Sequence, residues 1–214
     1  MDGGPVTGEG HAGDRVPLDH DSGGAVGTLH SGPPPEAVAE LMDETDLDEP
    51  VTSPERLLAQ AVALAGTEQD AKLVERYWRF APDEDMVGHT PQDLVDAAIR
   101  HRELARQRLP GELKLRVDPP DRAGRTVIEV VVDDMPFLVD SVTGALTTRK
   151  FDIHLLVHPL MVVRRTPLGE LREIRTEVEP DQATSGDQVE SWIRIEIDPI
   201  RSEREREQLR AALQ

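Results

Sequence analysis

Between residues 54 and 110 the apolar positions recur every three or four residues, which is the period of an amphipathic helix. Three segments with this period each follow a residue that can cap a helix, namely Ser53, Thr67 and Thr90. A Ser or Thr side chain accepts hydrogen bonds from the backbone N–H groups that the first helical turn leaves free. The pattern therefore predicts three helices, which begin at about residues 54, 68 and 91 and end at about 66, 80 and 110.

From residue 113 the pattern changes, because apolar and polar residues alternate in short runs that are rich in β-branched side chains. Such alternation is typical of half-buried strands. Pro159 interrupts the longest run, so we expect a bulge or an edge position there. Helices are predicted at about 136–149 and again after Ser202. The predicted strands cover residues 113–117, 126–132, 152–165, 171–179 and 191–198.

The order of these elements predicts the fold class. From residue 126 the chain runs strand, helix, strand, strand pair, strand, helix, which is the split β-α-β order of ferredoxin-like folds. We therefore expect an α+β protein with an antiparallel sheet, in which a helical subdomain at 51–111 precedes an α+β domain at 112–214.

Each face of the predicted sheet needs an apolar cover. The helix at 136–149 offers one to the first face through Leu138, Val142, Ala145 and Leu146. The second face would be covered by the N-terminal helices, which carry Tyr77 and Trp78, or by a second copy of the unit. We expect the helices to cover part of it, with self-association or docking through the rest.

Composition separates the first 50 residues from the remainder. They hold twelve acidic residues against one basic residue, Arg15, so they carry −11 of the net charge of −18. They also hold 9 of the 16 glycines and 6 of the 17 prolines. High charge with little apolar surface cannot offset the entropy lost on ordering, so residues 1–50 are predicted to be a disordered arm.

Several classes of protein are excluded by composition. The folded part has no basic patch with interleaved aromatic residues, which argues against nucleic-acid binding. There are no cysteines, so thiol catalysis and cysteine metal sites are excluded. No apolar run approaches the length of about 18 residues that a membrane span needs, and no signal peptide is apparent. We expect a soluble cytoplasmic protein with no membrane partner.

One stretch, DDMPFLVDSV, concentrates the candidate chemistry. Asp133 and Asp134 end a predicted strand, and Met135, Pro136 and Phe137 lead into a predicted helix. The favoured interpretation is that the carboxylates cap the helix and complement its dipole. A role in orienting a ligand is a second alternative, and a metal site is a third, weaker one because no further ligand has a spacing that places it nearby.

Other candidate groups fit structural roles better than chemical ones. His154 and His158 share a face of a strand but stand roughly 13 Å apart at about 3.3 Å per residue, too far to share one metal ion. Arg164–Arg165 and the charged helix at 203–208 are interpreted as solvated faces. No nucleophile elbow, phosphate-binding glycine loop or zinc motif is present. We therefore predict no catalytic, cofactor-binding or metal-binding residues in this chain.

The run VIEVVVDDMPFLVDSVTGALTTRKFDIHLLVHPLMVVRR resembles the N-terminal region of the large bacterial NAD-dependent glutamate dehydrogenases. ERYWRFAPDEDM and SWIRIEID, upstream and downstream of it, are similar to the same family. The resemblance covers about residues 55–214. It implies an ACT-like domain, NAD as a cofactor of the parent enzyme but not of this segment, and downstream domains of the same enzyme as partners.

In ACT domains the junction between strand and helix carries Asp, any residue, Pro and Gly. Asp134 and Pro136 match this pattern, while Phe137 stands where the glycine lets an amino-acid effector approach the backbone. A Phe would fill that space. The resemblance therefore marks Asp133, Asp134 and the three residues after them as an effector or interface junction, with no catalytic role.

The end of the chain suggests a longer protein, because the last predicted helix has no C-cap at Gln214. We expect truncation, no turnover by the segment alone, and a role in regulation or assembly of the parent enzyme, which could be a homo-oligomer. A free-standing ACT-like module that senses an amino acid and an interaction protein that binds through its acidic arm are the alternatives.

Overall fold

The computed structural model describes residues 53–86 and 88–214, together with Gly4. The predicted disordered arm at 1–50 lies, apart from Gly4, outside the described residues. The helices are α1 Pro54–Leu64, α2 Glu68–Trp78, α3 Asp83–Met86, α4 Pro91–Ala105, α5 Leu138–Thr148 and α6 Glu203–Ala212. The strands are β1 Lys114–Val117, β2 Thr126–Asp133, β3 Ile153–Val157, β4 Leu160–Arg165, β5 Leu171–Ile174 and β6 Gln188–Ile197.

An antiparallel sheet of six strands forms the centre of the fold. Its order is β1-β2-β6-β4-β5, and β3 pairs with β6 on the same edge as β4. Strand β6 therefore lies between β2 and the β3/β4 pair. Along the chain, α5 connects β2 to β3. This is a split β-α-β unit, so the predicted α+β fold class with an ACT-like antiparallel sheet is confirmed.

Pro159 divides the long strand that was predicted at 152–165. β3 pairs with the C-terminal half of β6 and β4 with its N-terminal half. Proline has no N–H to donate to the ladder, but its carbonyl oxygen still accepts from Trp192 N at 3.1 Å. The interruption predicted at this residue is therefore present, and β6 receives two partners on one edge.

Helix α4 ends earlier than predicted because the residues after it pair with a turn instead. Arg108 N donates to Gly169 O at 2.9 Å, and Leu171 N donates to Arg106 O at 3.0 Å. Gly169 has φ +85°, and a Cβ there would stand 2.5 Å from Arg108 O. The approach of the two backbones therefore requires glycine at 169 on both conformational and steric grounds.

Two apolar cores cover the two faces of the sheet. Helices α5 and α6 pack on one face, where Leu146 and Leu209 meet the isoleucines of β6. Helices α1, α2 and α4 pack on the other face, where Tyr77 and Trp78 share a core with Trp192. The expectation that the N-terminal helices cover part of this face is confirmed. In the part of the chain that the structure describes, no helix has the length and apolarity to cross a bilayer.

A buried histidine connects α4 to α2 and the sheet. Tyr77 Oη lies 2.7 Å from His101 Nδ1, and His101 Nε2 lies 3.1 Å from Val130 O. A carbonyl oxygen can only accept, so Nε2 carries the proton and Nδ1 accepts from the Tyr77 hydroxyl. Burial in this apolar environment lowers the pKa of His101 to about 4.

This pKa predicts how stability depends on pH. His101 titrates near 6.5 when unfolded and at about 4 when folded, so the unfolded chain binds more protons between these values. The free energy of unfolding should fall by up to roughly 3 kcal/mol as pH drops through this window. Urea unfolding across pH 4 to 7 measures the fall.

The His101→Gln variant is the control, because its amide can accept from Tyr77 and donate to Val130 without titrating. Its stability should depend less steeply on pH over the same window. Parallel curves for the two proteins would contradict the assignment.

Candidate functional site

Asp133, at the end of β2, ties the segment after α4 to the sheet. Its Oδ2 accepts from Gly111 N at 2.6 Å and its Oδ1 from Arg108 Nη2 at 2.5 Å. Partial burial disfavours the charged form, but the hydrogen bonds from Arg108 and Gly111 outweigh it and hold the pKa of Asp133 below its usual range. The carboxylate is thus an anchor that stays ionised, and it is not free to bind a ligand.

Arg108 continues this anchor into a buried ion cluster. Its Nε and Nη2 donate to Glu190 Oε1 at 2.9 and 2.6 Å. Arg165 Nε and Nη2 donate to the two oxygens of the same carboxylate at 2.7 and 2.9 Å, and Trp192 Nε1 donates to Oε2 at 3.1 Å. Both oxygens of Glu190 are therefore hydrogen-bonded, which offsets the cost of burying this carboxylate completely.

The interpretation of the arginines as solvated residues was wrong for two of them. The Arg165 side chain is fully buried against Glu190. Arg206, in the charged helix α6, is also buried and donates from Nη1 to Ile200 O at 2.7 Å. Arg164 is half-exposed, as expected.

Asp134 takes part in a second polar chain on the other side of the junction. Its Oδ1 accepts from Ser191 Oγ at 2.6 Å, and His158 Nε2 lies 3.0 Å from the same hydroxyl oxygen. The hydroxyl has one proton and gives it to Asp134, so His158 must donate from Nε2. Burial lowers the pKa of His158, although the charge of Asp134 opposes this.

This polarity excludes a serine nucleophile at the junction. In a catalytic triad the hydroxyl donates to the histidine, which removes its proton. Here the histidine donates to the hydroxyl, and Ser191 is fully buried. The three residues have the composition of a triad, but they cannot perform its chemistry.

The predicted capping role of Asp133 and Asp134 was wrong. The N-cap of α5 is Phe137, and no side chain caps the helix there. The two carboxylates are already bound to Gly111 and Arg108 and to Ser191. Phe137 instead adopts φ +66°, a left-handed conformation that normally favours glycine.

Four exposed apolar side chains lie on segments that meet at this end of the sheet. Leu109 follows Arg108, Met135 and Phe137 follow Asp134, and Leu168 lies in the turn beside Gln107, whose Nε2 donates to Leu168 O. Their exposed fractions are 48%, 49%, 76% and 79%. We call these four residues the apolar rim. Pro136, between two of them, is also exposed.

The two strand histidines have separate partners. His154 Nε2 lies 2.9 Å from Asp198 Oδ1, whereas His158 bonds to Ser191. Within residues 53–86 and 88–214, no group of three or more His, Asp or Glu side chains could hold a metal ion. The sequence pattern drew attention to the junction at 133–137, but it missed the contacts of Arg108, Arg165, Glu190 and Ser191, whose partners are distant along the chain.

The backbone at Phe137 can be tested by comparing glycine with alanine. At a position inside a helix or strand, a Gly variant is less stable than an Ala variant by roughly 0.5–1 kcal/mol. At a position with left-handed backbone the Gly variant is the more stable one, since a Cβ there costs about 1–2 kcal/mol. Phe137→Gly should therefore unfold at higher urea concentration than Phe137→Ala. At Asp140, inside α5, the Ala variant should be the more stable one; the same order at both positions would refute the argument.

The ion cluster can be tested by removing Arg108. Arg108→Met should lower the free energy of unfolding by about 3 kcal/mol or more, because Glu190 and Asp133 lose a buried partner. Arg172→Met is the matched control, since Arg172 and its partner Glu170 are both exposed and such pairs contribute less than about 1 kcal/mol. Similar losses in the two variants, measured by urea unfolding, would show that the cluster is not a major support.

Two curated proteins are similar to this chain over about two thirds of its length. It is 29% identical over 143 residues to the NAD-specific glutamate dehydrogenase of Halomonas elongata, and 29% identical over 147 residues to that of Pseudomonas aeruginosa. These matches cover 64% and 66% of the chain but 9% of each relative. The chain thus matches about a tenth of the length of these enzymes. No solved structure matches it.

The family described as "Glutamate dehydrogenase, ACT1 domain" matches residues 73–213. This range contains the whole sheet, helices α4 to α6, the junction at Asp133 and Asp134, and all four residues of the apolar rim. The match therefore includes both the fold and the candidate site, and the chain belongs to this family of glutamate dehydrogenase ACT1 domains.

Proposed function

We propose that this chain is a noncatalytic segment of an NAD-dependent glutamate dehydrogenase, and that it regulates or assembles the enzyme by docking onto another of its domains. The parent reaction would convert L-glutamate, NAD and water to 2-oxoglutarate, ammonia and NADH. NAD and substrate would bind elsewhere in the enzyme. The observation that carries the proposal is the apolar rim, which concentrates exposed apolar side chains at one end of an otherwise charged domain.

The rim has the properties of a docking surface. Four of the six large apolar side chains that are exposed among the described residues belong to it. Its segments are held by hydrogen bonds that the Asp133 carboxylate accepts from Arg108 and Gly111 and by one that Asp134 N donates to the sheet, so its backbone is ordered before any partner binds. Preorganised apolar groups lose little entropy on association, which favours affinity. The partner we propose is another domain of the same enzyme, because the relatives extend far beyond the matched region.

The chemistry of the junction supports a role without turnover. The candidate carboxylates are anchored to Arg108, Gly111 and Ser191, and the proton arrangement at Ser191 is opposite to that of a nucleophile. We therefore propose an interface at residues 133–137 in preference to an effector site.

Association with the remaining enzyme tests the proposal. The chain should bind a polypeptide comprising the catalytic region of the NAD-dependent glutamate dehydrogenase encoded by the same genome, as measured by sedimentation velocity. Replacing Met135 and Phe137 together by Asp should abolish binding by placing charges in an apolar interface. Leu64→Asp is the control, because Leu64 is also exposed and apolar but ends α1. The pure chain should form no NADH from glutamate and NAD.

Failure of the wild-type chain to bind, or equal loss with Leu64→Asp, would overturn docking through the rim. Self-association abolished by the Asp variant would instead identify a second copy as the occupant. NADH formation by the pure chain above a buffer blank would contradict the noncatalytic role.

A further inference from the structure

A polar cavity of about 790 Å³ lies at the end of the sheet that is opposite to the apolar rim. The first turns of α4, the turn at 121–125 between β1 and β2, and the ends of β2 and β6 form its walls. Val127 on β2 and Glu196 on β6 are paired in the sheet, and both line the cavity. The volume is in the range of small-molecule sites.

Two buried polar atoms in the wall of this cavity have no hydrogen-bond partner among the described residues. One is an acceptor, Glu196 Oε2, and the other is a donor, Arg194 Nε. They are neighbours, because the same two side chains already bind each other, with Arg194 Nη2 donating to Glu196 Oε1 at 2.8 Å. Buried polar atoms without partners are destabilising, so the wall lacks one group that can both donate and accept.

A hydroxyl group is complementary to this pair of atoms. Its single oxygen accepts one hydrogen bond, here from Arg194 Nε, while its proton is donated to Glu196 Oε2. An ammonium group has no acceptor and a carboxylate has no donor, so neither of them can bind both atoms. The chemistry of the unpaired atoms therefore favours a hydroxylated compound.

The wall offers acceptors for further hydroxyl groups. Asp96 Oδ1 accepts from Gln92 Nε2 at 2.8 Å, and Asp121 Oδ1 accepts from Arg125 N at 2.9 Å. The second oxygen of each carboxylate has no hydrogen bond from a described residue. Val127 adds apolar surface to the same wall. Several acceptors beside apolar surface are complementary to a sugar, which carries several hydroxyl donors and a face of C–H groups.

Two cations at this cavity are suited to a phosphate group. Arg125 Nη1 is 3.9 Å and His89 Nε2 is 3.8 Å from Glu196 Oε2, and both distances exceed a hydrogen bond. The Arg125 side chain is 36% exposed, so its guanidinium can turn toward the mouth of the cavity, where Arg122 also lies. Arg122 is exposed and pairs with no carboxylate among the described residues. Guanidinium groups are the side chains that bind phosphate oxygens with the best geometry.

We propose that the cavity binds a sugar phosphate. One hydroxyl of the sugar accepts from Arg194 Nε and donates to Glu196 Oε2, and other hydroxyls donate to the carboxylates of the wall. The phosphate accepts from Arg122 and from Arg125, which leaves its 3.9 Å contact with Glu196. The ligand thus gives partners to both unpaired buried atoms and to both cations at the mouth. This inference does not depend on docking through the apolar rim.

Isothermal titration calorimetry of the whole chain tests the proposal. The probes are the phosphate esters of ribose, glucose and fructose at their terminal carbon, and at least one of them should bind. The same sugar without phosphate should bind at least about tenfold more weakly, because it loses the contacts with the guanidinium groups. Cyclohexyl phosphate keeps a ring and the phosphate but has no hydroxyl group, and it should be weaker by a similar factor.

Two variants separate the halves of the site. Glu196→Gln should raise the Kd of the sugar phosphate by about tenfold and leave that of cyclohexyl phosphate unchanged. The reason is that the Gln oxygen must face Arg194 Nη2, so its amide N–H₂ replaces the acceptor that the hydroxyl needs. Arg125→Gln should raise both Kd values, because it removes a phosphate contact. Glu173→Gln and Arg172→Gln, on the exposed strand β5, are matched controls that should change neither.

Urea unfolding checks that the Glu196 variant folds, since this residue is buried; Arg125 is partly exposed, so its variant keeps the test decisive. Three results would overturn the proposal. The first is that no sugar phosphate binds at millimolar concentration, which would leave water as the partner of the two unpaired atoms. The second is that cyclohexyl phosphate binds as tightly as the sugar phosphates, which would indicate a site for anions alone. The third is that Arg125→Gln retains the wild-type affinity, which would place binding elsewhere.

Discussion

Strand β6 places Glu190, Arg194 and Glu196 on the face of the sheet that helices α1, α2 and α4 cover, and each of these charges must be compensated inside the fold. Residues that are distant along the chain supply this compensation. Arg108 and Arg165 converge on Glu190, and Glu129 pairs with Arg194 across the sheet. An unpaired charge in this position would cost several kcal/mol, so the segments that supply the partners have little freedom in where they lie.

The compensation also differs between the two ends of the sheet. At the end that holds Glu190 both oxygens of its carboxylate are hydrogen-bonded, and the segments anchored there carry the exposed side chains of the apolar rim. At the end that holds Glu196 one acceptor is left over beside a polar cavity. The two ends of the same strand therefore differ in how completely their buried charges are paired.

Local chemistry explains what the sequence predicted well. Ser53, Thr67 and Thr90 each cap a helix within three residues of their own position, and the β-branched run in β2 matches a strand that is buried on both faces. The cluster around Glu190 could not be predicted in this way, because Arg108 and Glu190 are 82 residues apart. Because the sequence does not show such distant partners, Arg165 was predicted to be solvated and Asp133 to cap a helix. β6 begins at Gln188, earlier than its apolar alternation suggests, since Glu190 is charged and yet buried by ion pairing.

The position of β6 in the chain has a consequence for synthesis on the ribosome. This strand pairs with β2, β3 and β4, yet it is made after all three of them. Until Ile197 has emerged, β2 and the β3/β4 pair lack the neighbour that lies between them, and the covering helices lack the core residue Trp192. Contacts of such long sequence separation form slowly, and unpaired strands are prone to aggregate while they wait. The nascent domain should therefore depend on chaperones until β6 is released, and only then fold cooperatively.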